Sequence, residues 1–169
     1  PRARARAPVR AMRPATDTPF DTRSAFHTAI IEALDLCRHT IILLDRSFEG
    51  WPLETAAGEQ ALRGALRRGA QVQVLVGQHE WLERNGTRFM RTRRAFPARI
   101  ECRTYPSSLR IDESVLLGDA QHLVRRVHWD AFRGRSVLAS PAQVEPLVPR
   151  YAQVWDESTH CLPATTLGL

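Results

Sequence analysis

Lysine is missing from this 169-residue chain: all 24 basic residues are arginine. Any function that needs a side-chain ammonium is thereby excluded, and a coding bias toward arginine explains the pattern more simply than selection for phosphate contacts. Cysteine is scarce as well. Cys37, Cys102 and Cys161 stand far apart and form no C-x-x-C pair, so the common zinc and redox motifs are absent and each reads as a small buried hydrophobe. No group of histidines, cysteines and carboxylates has metal-ligand spacing, so neither a metal nor a cofactor is expected. No apolar run approaches the roughly 20 residues that cross a bilayer, and the first residues lack the apolar block of a secretory signal. The expected location is cytoplasmic.

What is present is enough apolar material, 43% of residues, for one domain with a sizeable core. The formal charge of +6 points toward nucleic acid only until it is located. "PRARARAPVRAMR" carries five arginines and no acid, which leaves residues 14–169 at only +1. Residues 1–22, with four prolines and no sustained periodicity, read as a flexible arm. Residues 23–160 read as the folded domain and 161–169 as a C-terminal tail.

From Ser24, a plausible N-cap, Phe26, Ala29, Ile30, Ala33, Leu34 and Cys37 recur at helical spacing. "TIILL", residues 40–44, reads as a strand buried on both faces. A second helix through Leu62 and Leu66 stops at Gly69 before a strand over Val72–Val76, so helix then strand occurs twice, the signature of an α/β sheet. A helix interrupted at Gly86 is expected over 79–94. "RIECRTY", "SLRID" and "SVLLG" read as short antiparallel strands, with "HLVRRVHW" and "RSVLA" adding more. Ser140–Pro141 signals a helix start, and a last helix is expected near Pro149, packing Tyr151, Val154 and Trp155.

Three phrases, "ALRRGAQVQVLVG", "RIDESVLLGDAQ" and "GRSVLASPAQVEPLVPRYAQVWDES", resemble one half of the phospholipase D superfamily over residues 24–158. The resemblance implies a single-domain α/β fold, a mixed sheet flanked by helices, in an uncharacterised bacterial branch. Enzymes of that family use His-x-Lys, an Asp after four intervening residues, and a Gly-Ser-x-Asn segment; histidine attacks phosphorus while lysine and asparagine hold its oxygens. They need two copies of the motif, and this chain has room for one. With Asp112 as the motif aspartate, the histidine position is Tyr105 and the lysine position Ser107. Gly118 matches the glycine, Asp119 replaces the serine and Gln121 the asparagine. A carboxylate at 119 is expected to oppose phosphate, since two anions about 4 Å apart repel by about 4 kcal/mol at an effective dielectric of 20.

The leading expectation is therefore a pseudoenzyme, a noncatalytic phospholipase D-like domain that binds, scaffolds or regulates, with an unknown ligand or protein partner and a possible homodimer. Two alternatives stay open. One is nucleic-acid binding through the arginine arm and the Arg88–Arg94 face (Arg88, Arg91, Arg93, Arg94). The other is a hydrolase relocated to Asp45, His79 and His122, because Asp45 and Arg46 follow a buried strand at the edge where α/β sheets bind ligands. Trp51 is expected as an aromatic wall there. His122 and His128, an even number of residues apart, are expected on one side of a strand, near Asp119 or Asp112.

Overall fold

The structure is a computed structural model and describes residues 12–164. One mixed sheet of eight strands runs through it in the order β1-β7-β6-β5-β2-β3-β4-β8. Its centre is β2 (Thr40–Asp45), which pairs in parallel with β3 (Gln71–Val76) and antiparallel with β5 (Ser114–Gly118). β4 (Ile100–Thr104) continues the parallel set, and β6 (His122–Arg126) and β7 (Gly134–Leu138) continue the antiparallel one.

The two faces of the sheet are separate cores. Alternation along β2 sends Ile41 and Leu43 under α1 (Arg23–Leu36) and α2 (Ala56–Arg67), with Phe26, Ile30, Leu34, Leu62 and Leu66 packing down on them. Ile42 and Leu44 face the other way, against Tyr151, Val154 and Trp155 of α6 (Val148–Asp156) and Val144 of the short α5 (Pro141–Val144). Covering both faces is what makes "TIILLD" apolar throughout instead of alternating. As read from the sequence, Gly86 divides α3 (Glu80–Asn85) from α4 (Thr87–Ala95), and a final helix begins beside Pro149. Among the described residues no helix is long and apolar enough to cross a membrane.

Four expectations are corrected. The proposed arm is partly a strand: β1 (Thr16–Phe20) pairs antiparallel with β7, and Pro19 is tolerated there because β1 lies at the sheet's edge; residues 1–11 lie outside the described residues. Thr22 rather than Ser24 caps α1, its hydroxyl accepting the Ala25 N–H at 3.1 Å. "SLRID" is no strand; Ser107–Leu109 forms a single tight turn that ends on Arg110 in the left-handed region, φ 48°. The tail's first residues belong to the domain: β8 (Thr159–His160) pairs with β4, Cys161 N–H donates to the Cys102 carbonyl, and Leu162 is buried.

Gly118 has a packing reason. A Cβ there would lie 2.2 Å from the Cys37 sulfur, so the helix approaches this strand too closely for any side chain. Gly118→Ala is expected to lower stability by about 1–3 kcal/mol in urea titration, the usual cost of overpacking. Adding Cys37→Ala should recover part of that loss, because it empties the space the methyl group needs.

Candidate functional site

The carboxyl ends of β2, β3 and β4 meet the start of β5 and the end of β6 at one edge of the sheet. Asp45 closes β2 there, 2% exposed. Its Oδ2 accepts the N–H groups of Ser47 (3.0 Å) and Phe48 (2.7 Å), which holds Phe48 in the left-handed region at φ 66°. Its Oδ1 accepts the Ser114 hydroxyl and, at 3.1 Å, Arg126 Nη2. The same Nη2 donates to Ser114 Oγ at 2.9 Å. Arg126 is 1% exposed, with its guanidinium 4.4 Å from the Phe26 ring centre and 5.1 Å from that of Phe132. Burial pulls its pKa down and Asp45 pushes it back up; a guanidinium titrates so high that Arg126 stays charged.

A second buried carboxylate, Glu113, faces the opposite side of the sheet. Arg125 (2.5 Å), Arg150 (2.6 Å) and the Tyr151 hydroxyl (3.2 Å) surround it. Consecutive residues at the start of β5 thus each carry a polar anchor, one into each core. The rim is formed by Trp129, whose backbone N–H donates to the Asp112 carbonyl at 2.7 Å while Arg46 stacks 4.3 Å from its ring centre. Between Arg126 and this rim lies a shallow cleft of about 280 Å³, with Arg23, Glu49, Asp130 and Phe132 on its walls.

The residues singled out from the sequence do not form one site. Tyr105, Ser107 and Asp112 lie at this carboxyl edge, whereas Gly118, Asp119 and Gln121 lie at the far end of β5, beside the start of β2. Tyr105 is buried with its hydroxyl against Gly77, and burial first, then the Asp45 charge, raises its pKa. Asp119 does not oppose a phosphate at the carboxyl edge. It accepts the backbone N–H groups of Arg38 (2.8 Å), His39 (2.8 Å) and Thr40 (2.9 Å), tying the β5–β6 turn to the loop after α1.

The other candidates are likewise reassigned. Asp45 pairs with Arg126 and not with Arg46. Trp51 is core, 3% exposed and edge-on to Phe26, so the aromatic at the rim is Trp129. His79 reaches Thr104 Oγ1 (3.4 Å) and Glu83 (3.9 Å) beside the ends of β3 and β4. His122 sits at the opposite edge, where burial lowers its pKa, so Asp45, His79 and His122 do not converge. His128 lies beyond the end of β6, its Nδ1 accepting from Asp130 N–H at 3.1 Å, rather than on the strand with His122. Among the described residues, no three of His, Cys, Asp and Glu are grouped to hold a metal ion.

On the arginine face Arg88 and Arg91 share one carboxylate, Glu59 (2.7 and 2.8 Å), with Arg63, so their charge is only partly offset; Arg93 is buried with its Nη1 on the Pro97 carbonyl, and Arg94 is exposed. Reading the sequence alone missed Arg126 and Ser114. The signal was there: in "HLVRRV", strand alternation puts His122, Val124 and Arg126 on one face, so one of the two adjacent arginines has to point inward.

Removing one partner of the buried pair leaves the other charge unpaired. Asp45→Ala is expected to cost about 3–5 kcal/mol in denaturant unfolding, and Asp45→Leu with Arg126→Met together less than Asp45→Ala alone. Glu59 yields a pH prediction. Hydrogen bonds from Arg88 and then Arg91 hold its carboxyl at about 2, below the ordinary 4.5. Its contribution is therefore present above pH about 4.5 and is lost as pH falls through about 2. The stability difference between wild type and Glu59→Gln, followed by urea midpoints, should shrink to nothing over that acid range and stay constant above it.

Comparison with solved structures places this architecture. Nuc from Salmonella typhimurium, a phospholipase D family member, superposes with TM-score 0.65 at 12% identity, over 88% of this chain and 99% of Nuc. NucT from Helicobacter pylori gives 0.63 at 11% identity, over 88% and 100%. TrmBL2, an archaeal chromatin protein described with a novel mode of DNA binding, gives 0.65 at 12% identity over 86% of this chain, which spans about half (54%) of TrmBL2. No curated protein matches the chain in sequence. Residues 22–167 match the domain of unknown function DUF7931. The fold is thus phospholipase D-like, and the chain belongs to the DUF7931 family.

Proposed function

We propose that this is a noncatalytic phospholipase D-like domain, a binding, scaffolding or regulatory module. The observation that carries the reading is the Asp45–Ser114–Arg126 network: the buried cation at the carboxyl edge is already met by an internal carboxylate. A phosphate there would have to displace Asp45, which is anchored by two backbone N–H groups and a hydroxyl.

The spacing of the family motif supports the same reading in either of two registers. Counted from Asp112, the histidine and lysine positions are Tyr105 and Ser107. Counted from Asp119, at the turn, they are Asp112, which precedes β5 and is exposed, and Ser114, which opens β5 and is buried against Asp45. Neither register supplies an imidazole or an ammonium. Pairing with a second copy, as two half-sites do in active relatives, belongs to this proposal.

Incubation with bis(p-nitrophenyl) phosphate and with phosphatidylcholine vesicles should give no product above the buffer rate. Turnover that disappears in His128→Ala, His79→Ala or Asp112→Asn would overturn the reading, since a relocated nucleophile would then be at work.

A second reading, nucleic-acid binding, is favoured by the likeness of fold to TrmBL2. The pairing of Arg88 and Arg91 with Glu59 moves its weight onto the arginines of residues 1–13. Affinity for duplex DNA should then fall steeply with salt and drop on deletion of residues 1–13, while Arg88→Gln changes little. Affinity indifferent to salt and to that deletion would refute it.

A further inference from the structure

The amino edge of the sheet, opposite the Asp45 network, holds a second cleft, of about 470 Å³. It opens between the start of β2, the β5–β6 turn and the residues that lead into α5. On its wall is His122, only 4% exposed. The Ala139 N–H donates to His122 Nδ1 at 3.1 Å, which puts the proton of the neutral ring on Nε2. That Nε2–H has no partner among the described residues. The backbone that fixes it is strained, because Ala139 sits in the left-handed region at φ 55°.

Two cations share the cleft. Arg38 uses Nη1 on the carbonyls of Asp35 and Cys37, and its Nε and Nη2 have no partner among the described residues. Arg13 meets Glu32 at 2.7 Å, but both side chains are more than two-fifths exposed, and a solvent-screened surface pair of this kind holds weakly, so Arg13 is recruitable. The acid on the lining, Asp119, has its carboxylate committed to three backbone N–H groups. The remaining wall combines apolar Met12, Leu36, Ala139 and Pro141 with the polar side chains of His39 and Gln121.

We infer that this cleft binds a small phosphate-bearing molecule, its anionic head between Arg38, Arg13 and His122 Nε2–H and its body against Met12, Leu36 and Pro141. Donors arriving from three separate segments suit a tetrahedral oxyanion better than a flat carboxylate. The site is independent of the carboxyl edge, so its fate and that of the noncatalytic reading are separable: one is read by binding here, the other by turnover.

The test is NMR of the full-length chain, labelled with ¹⁵N, titrated at constant ionic strength with inorganic phosphate, phenyl phosphate and benzoate. Saturable shifts are expected at His122 Nε2–H, the Arg38 guanidinium and the Ala139 amide, with phenyl phosphate tighter than inorganic phosphate and benzoate weakest. Arg38→Gln and Arg13→Gln, both at partly exposed positions, should each weaken phenyl phosphate about 10-fold, the scale of one lost hydrogen bond to a charged group. His122→Phe should weaken it similarly if the variant stays folded; if it does not, the two arginine variants decide. Absence of saturation, equal affinity in both arginine variants, or shifts confined to other regions would overturn the inference.

Discussion

The ion pair between Asp45 and Arg126 is the constraint around which the carboxyl edge is organised. A guanidinium at 1% exposure is tolerable only with a carboxylate beside it, and here two aromatic rings and a serine hydroxyl complete its surroundings. One carboxylate joins three parts of the chain: the end of β2, the loop that follows it through Ser47 and Phe48, and the β5–β6 pair through Ser114 and Arg126. The same contacts that bind the edge together occupy the charge that would otherwise face a ligand. Under the noncatalytic proposal, the contacts that stabilise this end are also those that keep an oxyanion from Arg126.

Much of the architecture was legible in the sequence because it rests on local periodicity. Phe26, Ile30 and Leu34 announce a helix, "TIILLD" a strand covered on both faces, and Gly86 and Pro149 the helix boundaries. What escaped detection was set by pairing across long distances. Thr16–Phe20 has the composition of a linker and becomes a strand only because β7 offers an edge 118 residues away, as the Asp17–Arg135 pair shows. The candidate site failed to appear for the same reason. Gly118, Asp119 and Gln121 follow Asp112 closely in sequence, yet an extended strand carries them to the other end of the sheet. Trp51 and Trp129 illustrate the point in side chains: both stand in polar loops, and only packing decides that the first is core and the second rim.

The two ends of the sheet emerge with opposite characters. At the carboxyl edge, Asp45 satisfies Arg126, and Glu113 gathers Arg125 and Arg150 on the other face. At the amino edge, Asp119 is spent on backbone amides, which leaves Arg38 and the His122 ring without a carboxylate partner among the described residues, while Arg13 holds only the exposed Glu32. The carboxyl edge is thus closed on its own ion pairs, and unpaired polar donors, those of Arg38 and His122, lie at the amino edge among the described residues.

The most direct measurement of that claim follows Arg126 itself. In a chain labelled with ¹⁵N-arginine, titrated with tungstate as a phosphate mimic, the Arg126 Nε–H resonance should stay in place through saturation, because its guanidinium remains on Asp45. A saturable shift of that resonance would mean that the carboxyl edge still receives an oxyanion, and the account of an internally closed site would be contradicted.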